Sequence, residues 1–280
     1  MRAATEDAMR HLKDRVAVVT GAGSGIGRAT SVALAERGCR LALADVRVDG
    51  LEETRSIIEG AGGRASVHVV DVTDAERLGR LPAEVLDEHG DCHILVNNAG
   101  VTSAGMFEDE HLDDLRWIVD INVWGVVHGC RAFLPLLRRV DEAHIVNLSS
   151  MVAFLGLPQN AVYSLTKGAV RAFTEGLRGE LAGSGIGVTA VFPGAIRTNI
   201  MHSARGAEAD RLSSMARSRL APYVMRPPEA VAGKIVRAIE KDRPRAIVGP
   251  DAHALDLFAR VAPGRSGLIG RGVGFASRRG

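Results

Sequence analysis

The chain has 280 residues, 46% hydrophobic and 24% charged, with 35 basic against 33 acidic side chains and a net charge of +2. That balance leaves no basic footprint for nucleic acid, the apolar fraction excludes intrinsic disorder, and no apolar run approaches the ~20 residues of a bilayer span. Glycine, at 32 residues, exceeds the average of ~7% without a collagen period and so marks tight backbone positions.

In chain order, residues 1–13 read as a charged N-terminal extension with no secretory apolar region. Arg15–Thr20 is predicted as a buried strand and Ile26–Arg37 as a helix, then strand Arg40–Asp45 and helix Gly50–Glu59. Strand Ala65–Val70, helix Asp74–Glu88, strand His93–Val96 and one long helix Asp109–Arg139 come next. The series closes with strand His144–Leu148, helix Ser164–Ala182, strand Gly187–Phe192, helix Pro228–Glu240 and strand Ala246–Val248. This alternation predicts an α/β fold: a doubly wound parallel sheet, helices on both faces, in one Rossmann-type domain over residues 14–250. Residues 197–228, rich in polar, Met and Pro residues, are expected to form a substrate lid. Residues 251–280 are expected to form a C-terminal extension with a glycine- and arginine-rich tail.

Cys39, Cys92 and Cys130 are too dispersed for a disulfide framework or a zinc site, which points to a reducing, cytoplasmic setting. His68, His89, His111 and His128 lack metal-ligand spacing, so no metal is expected. Trp117 and Trp124, seven apart on the expected long helix, predict one packed face.

The first strand runs into Gly21-Ala22-Gly23-Ser24-Gly25-Ile26-Gly27. Glycines there permit a tight turn and close backbone approach to a pyrophosphate, which the N-terminus of the next helix then faces. Asp45 ends the second strand 18 residues after Gly27, where a carboxylate accepts from ribose hydroxyls and repels a 2′-phosphate. The pair favours NAD over NADP, with Arg28 and Arg47 as the cations that could reverse the preference. Asp71-Val72 and Asn98-Ala99-Gly100 come after the third and fourth strands, at the sheet end where ligands of such folds bind. Tyr163 and Lys167, at i and i+4, share a helix face, and Ser150 stands 13 residues before Tyr163. A free phenol with a pKa near ~10 is a poor acid–base group, so the neighbouring ammonium and a cationic nicotinamide are together expected to lower its pKa.

With these residues in place the chain resembles the short-chain dehydrogenase/reductase family, in its single-domain branch. The resemblance covers about Asp14 to Pro250 through TGAGSGIG, NNAG, INVWG, IVNLSS, YSLTK and FPGAIRT. It implies that Tyr163 is the catalytic acid/base, that Ser150 orients substrate, and that Lys167 tunes the tyrosine and binds the nicotinamide ribose. It implies further that Asn122 anchors a proton-relay water, that Asn98 supports the crevice, and that Asp71 and Val72 flank adenine. Pro193, Gly194, Ile196 and Thr198 would line the nicotinamide. The expected activity is NAD(H)-dependent interconversion of a hydrophobic secondary alcohol and its ketone, by a homotetramer or homodimer. An NADP(H)-dependent carbonyl reductase and a non-catalytic dinucleotide-binding regulator are the alternatives. A substrate wall is expected from Met151–Leu155 together with Met201, Met215 and Met225.

Overall fold

A buried parallel strand is apolar on both sides, so consecutive residues must serve opposite faces of the sheet. The computed structural model, which describes residues 9, 11–198, 200, 204–208, 225–263 and 265, shows this directly. In β1 (Val16–Thr20) all five residues are buried. Ala17 and Val19 pack on one face with Leu34, Leu51, Ile58 and Ile235. Val16 and Val18 pack on the other with Leu78, Val85, Phe133 and Val170.

The seven strands are β1, β2 (Arg40–Asp45), β3 (Arg64–Val69), β4 (Ile94–Asn97), β5 (Ala143–Leu148), β6 (Ile186–Pro193) and β7 (Arg245–Val248). Every pairing is parallel and the order is β3-β2-β1-β4-β5-β6-β7. The order reverses between β1 and β4, which opens a crevice beyond the carboxyl ends of these strands. Among the described residues the α-helices are α1 (Gly25–Ala35), α2 (Val48–Gly60), α3 (Ala75–His89), α4 (Leu112–Val119), α5 (Gly125–Leu137), α6 (Ala161–Glu180), α7 (Pro228–Glu240) and α8 (Pro250–Val261).

One expectation is corrected. The long helix over Asp109–Arg139 is instead a 3₁₀ turn at Phe107–Asp109, α4, a π-helical turn at Asp120–Trp124, and α5. The physical reason lies in Asn122, fully buried, whose side chain is held from outside the helix. Its Oδ1 accepts from Val101 N at 2.8 Å, and its Nδ2 donates to Val101 O at 2.9 Å and to Thr166 Oγ1 at 3.1 Å. The wider turn adds a residue and rotates the helix beyond it, so Trp117 and Trp124 do not share a packed face. Trp117 lies under the Arg205 guanidinium, 4.1 Å from its ring centroid, whereas Trp124 is 50% exposed and stacks on His128. At the start of the expected C-terminal extension, Pro250–Val261 form α8, packed against β7. Of the expected lid, residues 199, 201–203 and 209–224 lie outside the described residues, Met201, Met215 and Tyr223 among them; so does most of residues 1–13 and of the tail past residue 263.

Two core histidines tie strands together and set an acid limit on stability. His93 Nδ1 accepts from Val16 N at 3.2 Å, and His144 Nε2 shares a 2.8 Å hydrogen bond with Thr189 Oγ1. Burial, aided by nearby arginines, pulls both down to about 4. An unfolded histidine titrates near ~6.5, so between these values the unfolded chain binds more protons. The stabilisation is therefore complete above pH ~6.5 and is lost as pH falls toward ~4, by up to ~1.4 kcal/mol per pH unit per histidine. Urea midpoints measured from pH 7 to 4.5 are expected to fall steeply below 6.5; a flat profile would refute the assignment.

Candidate active site

The glycine loop is built by contact as well as by torsion. Gly21 and Gly25 adopt φ of 66° and 54°, a region L side chains rarely occupy. A Cβ on Gly27 would overlap the Gly21 carbonyl oxygen, and one on Gly21 would lie 2.7 Å from Asn98 Nδ2 and 2.9 Å from Ala99 Cα. Asn98 Nδ2 donates to Thr20 O at 2.9 Å and Gly21 O at 3.2 Å, while Thr20 Oγ1 accepts from the N–H groups of Asn98 and Ala99. The β1 and β4 ends are thereby locked together at the crevice. Ser24 caps α1 in an extended conformation, but its side chain makes no cap hydrogen bond and no acid stands in the first turn. The first amides of α1 thus lack a side-chain acceptor, which fits an anionic ligand group there. Ile26 points back into the core.

Asp45, at the end of β2, accepts from Gly23 N at 3.0 Å and from Arg47 N at 3.0 Å. A Cβ on Gly23 would meet its carboxylate at 3.0 Å, so only glycine lets Asp45 close on the loop. Arg28 does not face the crevice as a free cation. Its guanidinium is bidentate to Glu53 at 2.6 Å and also donates to Gly23 O and Thr54 Oγ1. Arg47 is exposed, with its Nε 4.0 Å from Asp45 Oδ1.

Opposite this loop, Lys167 is buried on α6 and its Nζ donates to Leu148 O at 3.0 Å. Gly100 fits between it and Asn122: a Cβ there would lie 3.1 Å from Asn122 Oδ1 and 3.3 Å from Lys167 Nζ. Ser149 Oγ holds the α6 backbone by donating to Lys167 O at 2.7 Å. Tyr163 presents its ring 5.8 Å from Lys167 Nζ, and Ser150 Oγ accepts from Val152 N at 3.4 Å. The ammonium by itself does not lower the tyrosine pKa. Burial pushes the Tyr163 phenol above its ordinary value, the nearby Ser150 hydroxyl opposing, and burial pulls the Lys167 ammonium down to about 8. Desolvation disfavours both charged forms and outweighs their mutual attraction at this separation.

The remaining predicted residues divide. Thr198 reaches the loop, its Cβ 3.3 Å from where a Gly25 Cβ would stand. Ile196 bridges to Arg226. Pro193 and Gly194 run beside β7, with Gly194 N donating to Val248 O. Val72 is buried against Gly125, but Asp71 turns its carboxylate to Thr73, accepting from its N and Oγ1. Of the expected apolar wall, Val152 and Leu155 are buried, while Phe154 packs at a tilt of 31° against Phe192. One contributor escaped prediction. Asp251, in the first turn of α8, accepts from Ala195 N at 2.6 Å, and its carboxylate fills the space a side chain on Gly194 would need. The Gly-Pro-Asp start of a helix was its only sequence signal.

Known proteins place this arrangement. The short chain dehydrogenase family model matches residues 15–209. SadH of Mycobacterium tuberculosis, an oxidoreductase by name, is 36% identical over 255 residues, covering 90% of this chain and 92% of that protein. A short-chain dehydrogenase/reductase of Burkholderia phymatum, solved in complex with NAD, is 30% identical with a TM-score of 0.82, over 90% of this chain and 95% of that one. A short-chain dehydrogenase of Mycobacterium paratuberculosis, solved bound to NAD, is 26% identical with a TM-score of 0.77, over 87% and 99% of the two chains. The chain belongs to the short-chain dehydrogenase/reductase family of oxidoreductases.

Proposed function

We propose that the protein interconverts a hydrophobic secondary alcohol and its ketone with NAD(H), using Ser150, Tyr163, Lys167 and Asn122. The observation that carries this reading is the buried Lys167 ammonium, set between Gly100 and Leu148 with the Tyr163 ring 5.8 Å away. An ammonium has three donors, and one of them meets Leu148 O. The others suit ribose hydroxyls. A nicotinamide held there would supply the hydride chemistry. Ser150 holds the substrate oxygen, and Tyr163 takes the hydroxyl proton as the carbonyl forms, or returns it in reduction. Asn122, whose side chain is committed to Val101 and Thr166, acts by positioning: its π-helical turn shapes the floor under Lys167. Buried Val152 and Leu155 support an apolar substrate.

The loop fits a dinucleotide through its unclaimed α1 amides and through Asp45, whose carboxylate would repel a 2′-phosphate. NADP is the second reading, because exposed Arg47 lies within reach of Asp45. Titrating the protein with NADH and NADPH by fluorescence is expected to show NADH binding tighter by about tenfold or more, the equivalent of ~1.4 kcal/mol. Asp45→Ala is expected to weaken NADH and narrow that difference. Tighter NADPH binding by the unaltered protein would overturn the NAD assignment.

Family relationship and the exposed Leu112, Trp124 and Leu165 on α4, the π turn and α6 support a homotetramer or homodimer. Light scattering tests it. The three free, buried cysteines, their thiols pushed up to about 12 by burial, suit a cytoplasmic, reducing home. No described helix is long and apolar enough to cross a membrane.

A further inference from the structure

The geometry points to a second ligand site, for a small multiply charged anion bearing carboxylate or phosphate groups, in a cavity between α6, β7 and α8. The cavity measures about 330 Å³ and is lined by Phe154, Arg171, Arg245, Asp256, Ala259 and Arg260. Three guanidinium groups and one carboxylate face it, so its lining is net positive. Asp256 is shared, 3.2 Å from Arg245 Nη2 and 3.0 Å from Arg260 Nη2. Arg171 gives its Nε to Glu175, which is half-exposed outside the cavity.

Two features separate this cluster from an ordinary surface ion-pair network. Arg245 Nε is buried and finds no acceptor among the described residues. A buried donor left unmade is costly, and native structures keep few of them. The guanidinium planes are also fixed before any ligand arrives. That of Arg245 lies 5.1 Å from the Phe154 centroid and 5.0 Å from that of Phe192, and that of Arg171 lies 5.6 Å from Phe154. The two rings are themselves 4.5 Å apart. Stacked arginines lose little freedom on binding, and their flat donor forks match planar or tetrahedral oxyanions.

The test is calorimetric titration with inorganic phosphate and with citrate at constant ionic strength, on the full chain and on an R171Q/R260Q variant. Both substituted side chains are partly exposed (34% and 59%), so the fold is expected to hold, and an unchanged melting temperature in chloride checks it. Citrate is expected to bind at one site, with affinity about tenfold lower in the variant. Anion binding of equal strength in both proteins would assign it to the glycine loop and overturn the proposal. Absent binding would also overturn it, and an association state by light scattering that changes in the variant would then assign the cluster to a carboxylate from a second copy of the chain. Neither arm depends on NAD(H) turnover, so failure here is distinguishable from failure of the proposed activity.

Discussion

Tyr163→Phe is expected to lower turnover by roughly 10²–10⁴-fold, the usual range for loss of a general acid–base group, while NADH affinity changes little. The substitution removes one oxygen and keeps the ring that packs near Lys167 Nζ. The raised phenol adds a pH signature: alcohol oxidation, which needs phenolate, is expected to rise with pH, and ketone reduction, which needs phenol, to fall. Both limbs should disappear in the variant. Unchanged NADH production from a panel of secondary alcohols would sink the proposed mechanism. Equal loss of cofactor affinity and turnover would instead make Tyr163 a binding residue.

Gly27→Ala is expected to cost about 1–3 kcal/mol in stability, as overpacking does, and to abolish measurable dinucleotide binding. The added methyl would strike backbone, the Gly21 carbonyl, with Asn98 Nδ2 2.6 Å away on its other side. No rotamer relieves a Cβ. Relief requires the loop to open, which would pull Gly21 off Asn98 and move the amides at the start of α1. A paired control separates this from any generic effect of glycine replacement. Gly176, within α6, has nothing within 4 Å of its missing Cβ. Gly176→Ala is therefore expected to be neutral or to stabilise by about 0.5–1 kcal/mol through helix propensity. Thermal melting and NADH titration of both variants decide it; full binding by Gly27→Ala would show that the loop is not the dinucleotide cradle.

The strands were legible because buried parallel strands are short apolar runs, and β2 matches its predicted bounds residue for residue. The i, i+4 spacing of Tyr163 and Lys167 is likewise a local property of α6. Features that could not be read arose between distant segments. Asn122 breaks its helix because Val101 and Thr166 hold it, 21 and 44 residues away. Arg28 loses its freedom to Glu53 on α2. The phenol of Tyr163 rises because the folded chain buries it, a quantity no spacing rule contains.

Asp251 also bears on when the enzyme becomes competent during its synthesis. The glycine loop, Asn98, Asn122, Ser150, Tyr163 and Lys167 all precede β6 in the chain. The segment leaving β6 is nonetheless pinned by Asp251, 56 residues after the amide it accepts from. A nascent chain ending before α8 would therefore hold every polar group of the proposed reaction and still lack the anchored Gly194-Ala195 wall. Ligand-dependent protection of such a chain is expected to begin only once α8 has left the ribosome.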